Sequence, residues 1–132
     1  MTTIHHAIKI AAPREKVFKA LTDVTEFAKW HYTGVEGEIA VGATLRMKAK
    51  PHLSFAWKTI ELVKNARLVQ EGVEGPGKPG KQITFDLSDT EGGTLIQMTD
   101  GDWNDSDPSM AFCNTHWGAA LTKLKSFVEG EA

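Results

Sequence analysis

The stretch from Met110 to Val128 limits what this chain can fold into more than any other. Met110, Cys113, Trp117, Ala120, Leu121, Leu124 and Val128 fall on one narrow stripe at helical spacing. Asp107 or Ser109 can cap the start of the stripe, and Gly130 ends it. This predicts a long amphipathic helix, bulkiest over its N-terminal half, that must lie on a matching apolar surface.

The preceding sequence supplies that surface as strands. From Thr3 to Ala11 the chain alternates, with Ile4, His6, Ile8 and Ile10 on one parity, as in a half-buried strand. At Ala12-Pro13 the period changes. Pro13 suits a first helical position, and Val17, Ala20, Leu21 and Val24 follow at helical spacing. Asp23 or Thr25 can cap a second short helix, carrying Phe27 and Trp30, that fails near Gly34. From Val35 to Gly101 the pattern is strand and turn. Phe55 and Trp57 lie on one parity and Ile60 and Leu62 on the other, which predicts a bulge or bend near Lys58-Thr59. Turns are expected at Asn65-Ala66 and at Thr90 to Gly93, and a flexible Gly/Pro-rich loop from Gly72 to Gly80. The fold class is α+β: a curved antiparallel sheet packed on the terminal helix, with two short helices after the first strand.

Composition narrows the functional classes. The 132 residues carry 15 Lys+Arg against 17 Asp+Glu, a formal charge of -2, too balanced for a protein that binds nucleic acid by neutralising phosphates. Hydrophobic residues make up 41%, which suits one globular domain spanning residues 1–132. No run approaches the ~18 apolar residues of a membrane helix, and the first residues lack the basic and apolar regions of a secretory signal. The single cysteine, Cys113, rules out an internal disulfide. The expectation is a soluble, cytoplasmic domain.

Several motifs reduce to ordinary structure. Gly72-Val73-Glu74-Gly75-Pro76-Gly77-Lys78 matches a phosphate-loop string, but Pro79 replaces the magnesium-binding hydroxyl and a strand follows instead of a helix. Asp100-Gly101-Asp102-Trp103-Asn104-Asp105 begins like a calcium loop, yet lacks Gly at its sixth position and Glu at its twelfth. The histidines His5, His6, His31, His52 and His116 show no ligand spacing, so no metal and no cofactor is expected. His6 shares parity with the isoleucines, and His116 lies at the edge of the apolar stripe. Cys113 reads as a small hydrophobe on that stripe.

Four tryptophans against one tyrosine is the most informative composition signal. Trp30, Trp57, Trp103 and Trp117 fall on four different elements, with Phe55, Phe85 and Phe112 among them. One reading is plain core packing, favoured for Trp117. The other is a cavity between sheet and helix, lined by large apolar groups and a few polar ones.

The segment Ile8 to Asp23 resembles the opening of the START-like (SRPBCC) superfamily. Trp30, Gly42 before a strand, Ile83-Thr84-Phe85-Asp86-Leu87, Gly93 to Met98, and His116-Trp117-Gly118 through Leu121 and Leu124 fit the same pattern. The ordering is most similar to the subgroup named for the activator of the heat-shock-protein-90 ATPase. The resemblance spans nearly the whole chain. It implies a helix-grip (START- and Bet v-like) fold of about seven strands, with an elongated apolar cavity opening near the two short helices. Relatives of this kind bind lipids or other hydrophobic ligands, act as cyclases or dehydratases, or contact a chaperone.

The leading expectation is a binding protein for a hydrophobic or aromatic small molecule. Trp30, Met47, Phe55, Trp57 and Phe85 are candidate lining residues from the first part of the chain. Met98, Trp103, Phe112, His116 and Trp117 are those from the second, with His116 and Asp100 orienting the ligand's polar end. The alternative is a cyclase- or dehydratase-type enzyme in the same space, using proton transfer by Asp100 or Asp86 with His116 as partner. Asp86 has parity opposite to Phe85 and should face solvent. A homodimer and a chaperone are the further candidate partners.

Overall fold

The structure, a computed structural model, describes residues 1–32, 34–51, 53–74 and 80–130. The chain begins with β1 (Thr2–Ile10), α1 (Arg14–Thr22) and α2 (Val24–Trp30). It continues through β2 (Gly34–Gly37), β3 (Thr44–Lys50), β4 (Leu53–Val63), β5 (Arg67–Glu74), β6 (Gln82–Thr90) and β7 (Gly93–Trp103), and ends in α3 (Ser109–Glu129). The seven strands make one curved antiparallel sheet in the order β1-β7-β6-β5-β4-β3-β2. Every pair from β2 to β7 joins sequence neighbours. β1 instead docks on β7 at the far edge, so α1 and α2 carry the chain from one sheet edge to the other. They thereby close one end beneath α3.

Local chemistry explains most of the boundaries. Asp23 caps α2, its carboxylate accepting from the Glu26 amide at 3.1 Å. The Trp30 indole donates to the Ala20 carbonyl at 2.8 Å, which locks α2 against α1. Pro13 stands at the N-cap of α1 and not at the first helical position expected for it, which Arg14 takes. The β4–β5 turn places Asn65 at φ 60°, in the left-handed region that Asn tolerates. In β4 the register shifts between Ala56 and Trp57 and again between Thr59 and Glu61. These irregularities explain the parity change and bend the sheet. Gly93 has a different reason to be glycine: a Cβ there would collide with the Ile10 carbonyl oxygen of the neighbouring strand.

Pro108 occupies the N-cap position of α3 and offers no side-chain bond. Asp107 does the capping from one residue earlier, accepting from the Ser109 amide at 2.9 Å. Gly130 closes the helix in the left-handed conformation at φ 77°. The buried face of α3 consists of Trp117, Ala120, Leu121, Leu124 and Val128. Each large apolar side chain there contributes about 1.5–3 kcal/mol by leaving water. Met110 and Cys113, expected on the same buried stripe, are only half-buried. Polar clips fix α3 to β1: Lys125 donates to the Lys9 carbonyl at 3.0 Å, and Glu129 accepts from the Ala11 amide at 2.7 Å. His6 joins Asn114 at 2.9 Å, so it does face the helix.

The sheet face turned to α3 is apolar along most of its length, with Ile10, Ile96, Leu87, Met98, Phe85 and Leu68 in the core. Among the described residues, no helix is long and apolar enough to cross a membrane. Residues 75–79 of the loop expected to be flexible, and His52, lie outside the described residues. At the base of that loop Gly72 donates to the Lys81 carbonyl at 2.8 Å.

Candidate functional site

Where α2 ends, the chain brings ring-bearing residues from three elements into one space. His31 and Tyr32 leave the C-terminus of α2, Phe55 and Trp57 project from β4, and His116 and Trp117 descend from α3. His31 sits at the centre. Its ring lies 4.3 Å from Tyr32, 5.0 Å from His116, 5.7 Å from Trp117 and 5.8 Å from Trp57, centroid to centroid. Trp57 stacks on Trp117 at 5.6 Å, Tyr32 on Phe55 at 5.8 Å and Tyr32 on His116 at 5.4 Å. Phe85 meets the underside of Trp117 edge-on at 5.8 Å. These are the offset and T-shaped geometries that ring quadrupoles prefer. Tyr32, Phe55 and His116 are half-buried, whereas Trp57 and Trp117 are buried, so the assembly runs from a surface rim to an interior floor.

The two imidazoles are bonded to each other, Nε2 to Nε2 at 2.9 Å. One Nε2 must carry the proton and donate while the other, unprotonated, accepts, so at most one of the two rings can be charged. Burial, and then the neighbouring His116 and Lys123, push His31 down to about 3. Burial first and Lys123 second also lower His116. Tyr32 stands 3.4 Å from His116 Nδ1, and its phenol is raised by burial and by Cys113. The Cys113 thiol is itself pushed up to about 11, chiefly by burial and then by Asp100. It is therefore a neutral thiol near pH 7, as a hydrophobe would be.

A second polar group lies on the far side of Trp117. Asp100 is 4% exposed, and its Oδ2 accepts the Trp117 indole N–H at 3.1 Å. Burial raises its carboxyl, while the indoles of Trp117 and Trp103, then Lys81 and His6, pull it back. The Trp103 N–H faces this region without closing a hydrogen bond. Lys81 stands over the Trp103 ring. Thr59 and Gln70 are also fully buried, and Thr59 Oγ1 and Gln70 Nε2 have no hydrogen-bond partner among the described residues. Each such orphan costs about 1–3 kcal/mol.

The structure thus sorts the sequence-predicted residues. Phe55, Trp57, Phe85, His116 and Trp117 come together in the ring assembly. Met47 and Met98 are buried in the core beside it. Trp30 is buried too, but its indole is committed to α1. Trp103 is buried next to Asp100 and Lys81, apart from the main core. Phe112 is the correction: it is 79% exposed on α3 and turns outward, because it lies off the stripe that Trp117 and Leu121 define. His116 bonds His31 and Asp100 bonds Trp117, so these two side chains have different hydrogen-bond partners. Asp86 faces outward in an ion pair with Arg67 at 2.6 Å. His31, Tyr32, Gln70 and Thr59 were not singled out by the sequence. Their roles depend on partners 11 to 85 residues away along the chain.

Comparison with known proteins places this arrangement. Residues 11–129 match the family model described as Activator of Hsp90 ATPase homolog 1-like protein. The solution structure of the Aha1 dimer from Colwellia psychrerythraea is similar with a TM-score of 0.90 at 30% identity, covering 98% of this chain and 97% of that one. Protein MLL2253 from Mesorhizobium loti gives a TM-score of 0.87 at 19% identity, with 99% of each chain covered. DynU16, from the dynemicin biosynthetic locus, gives 0.84 at 20% identity over 98% of this chain and 48% of its own. The last two share the fold. Among curated proteins, none matches this sequence.

Proposed function

This chain belongs to the Activator of Hsp90 ATPase homolog 1-like family, and from that premise we propose that it binds small, ring-bearing apolar molecules beneath the N-terminal half of α3. The observation that carries the reading is the continuous ring assembly from Tyr32 and Phe55 at the rim to Trp57 and Trp117 at the floor. Packing needs alone are met more cheaply by aliphatic side chains, which fill a core without displaying π faces at its opening. The rings touch one another, so a flat guest must displace some of them and replaces the ring–ring contacts it breaks with its own. The neutral His31–His116 pair adds one donor or acceptor at the middle of the slab without an ionic charge to desolvate.

Tryptophan fluorescence tests the proposal, because Trp57 and Trp117 are in the proposed contact surface. Titration with polycyclic aromatic compounds, fatty acids and sterols is expected to quench or shift emission with micromolar Kd for the aromatic class. Replacing Trp57 by Leu should weaken that binding at least about tenfold. No spectral change with any class would overturn the reading.

Self-association is a second reading, favoured by one observation. Phe112 is a large apolar side chain held 79% exposed on a rigid helix. The Colwellia psychrerythraea relative was solved as a dimer. A second copy of this chain covering Phe112 would remove that surface from water.

A further inference from the structure

The buried polar side chains of the sheet are not scattered. Among the described residues four polar or charged side chains are buried: Thr59, Gln70, Thr94 and Asp100. Thr94 is satisfied locally, donating to the Ala12 carbonyl at 2.7 Å. The other three lie in one row across the face turned to α3. In register, Ile4 pairs with Asp100, Asp100 with Ile83, Ile83 with Gln70, and Gln70 with Thr59. The adjacent row, His6, Met98, Phe85 and Leu68, is apolar over β7, β6 and β5. Trp57 and Trp117, the floor of the ring assembly, flank the polar row. Trp117 reaches it directly through Asp100.

Gln70 and Thr59 each keep a polar atom unpaired at 1% and 0% exposure. An apolar residue at either place would pack as well without that cost, so packing does not account for them. We propose that this row is the polar end of the ligand site and that it selects neutral molecules bearing a ketone or phenolic oxygen on a flat ring system. The inference rests on the binding reading above and adds the chemistry of the ligand. Gln70 Nε2 offers N–H donors and Thr59 a hydroxyl, from adjacent strands about 5 Å apart, suited to one carbonyl oxygen. Asp100, two strands from Gln70 and so about 10 Å away, accepts a hydroxyl at the opposite end. Asp100 already sets one carboxyl in this buried row, so a ligand that brings its own carboxylate places like charges together away from water.

Isothermal titration calorimetry with a matched set decides the matter: naphthalene, naphthol, acetylnaphthalene, naphthoate, and an acetylnaphthol with its two groups at opposite ends of the fused ring. The acetylnaphthol is expected to bind at least about tenfold more tightly than naphthalene or naphthoate. Gln70→Leu and Thr59→Val should each erase the advantage of the acetyl group and leave naphthalene bound as before. Circular dichroism melting checks that the variants fold, and Gln70→Met serves if Gln70→Leu does not. Equal binding of naphthalene and acetylnaphthol, or a preference that survives both substitutions, overturns the polar row while the binding reading stands. Failure of every compound to bind overturns both.

Discussion

His31 and His116 meet Nε2 to Nε2 at 2.9 Å, 85 residues apart in sequence, inside a cage of aromatic rings. A hydrogen bond between two imidazoles needs an unprotonated nitrogen on one of them and is lost once both are protonated, so this contact ties the α2–α3 junction to pH. In the unfolded chain a histidine titrates near 6.5, whereas folded His31 titrates at about 3. Between those values the unfolded state binds more protons. Stability is therefore intact above about pH 6.5 and falls as pH drops toward 3, by up to ~1.4 kcal/mol per pH unit. His116 is shifted the same way and adds to the loss. Asp100, raised by burial, works in the opposite direction, since the folded state takes up its proton more readily. Urea unfolding at pH 7.5, 6 and 5 should show the decline, and His31→Phe should flatten it.

The indole–carboxylate bond between Trp117 and Asp100 predicts unequal costs for its two ends. Trp117→Phe leaves a buried carboxyl without its donor and a cavity beside Phe85, and is expected to cost about 2–4 kcal/mol. Asp100→Asn keeps an oxygen acceptor and removes the charge, and is expected to cost under about 1 kcal/mol. Denaturant midpoints of the two variants check the asymmetry.

Two neighbouring glycines separate steric from conformational demand. At Gly93 an added Cβ runs into the Ile10 carbonyl oxygen, so Gly93→Ala should open the β1–β7 edge and cost more than about 2 kcal/mol. At Gly92 there is open space but a φ of 78°, so Gly92→Ala should cost only about 1 kcal/mol. Thermal melts rank the pair.

Phe112 makes no contribution to the core, so Phe112→Ser should leave stability within about 0.5 kcal/mol. If a second copy covers it, light scattering after size-exclusion chromatography should show wild type as a dimer and the variant shifted toward monomer. A monomeric wild type at high micromolar concentration would remove the self-association reading.

Much of the architecture is legible in local sequence pattern. Alternation identified β1 with Ile4 and Ile10 inward, the parity change in β4 announced its bulges, and Asp23, Asn65 and Gly130 marked ends that chemistry at those very residues enforces. Side-chain periodicity and capping act within a few residues, so they can be read locally. The same logic overreached at Met110 and Cys113. Periodicity tells which face of a helix is apolar, but not how far along its length the sheet covers it.

The sequence by itself determined the elements, their inward faces and the bulky aromatic load of α3. Only tertiary structure decided which side chains meet: His31 with His116, Asp100 with Trp117, and Thr59, Gln70 and Asp100 in one row. Those juxtapositions depend on strand register and on the crossing from β1 through α1 and α2 to the opposite sheet edge. Register is the sum of every turn and bulge between the residues concerned, and no local pattern around any one of them records that sum.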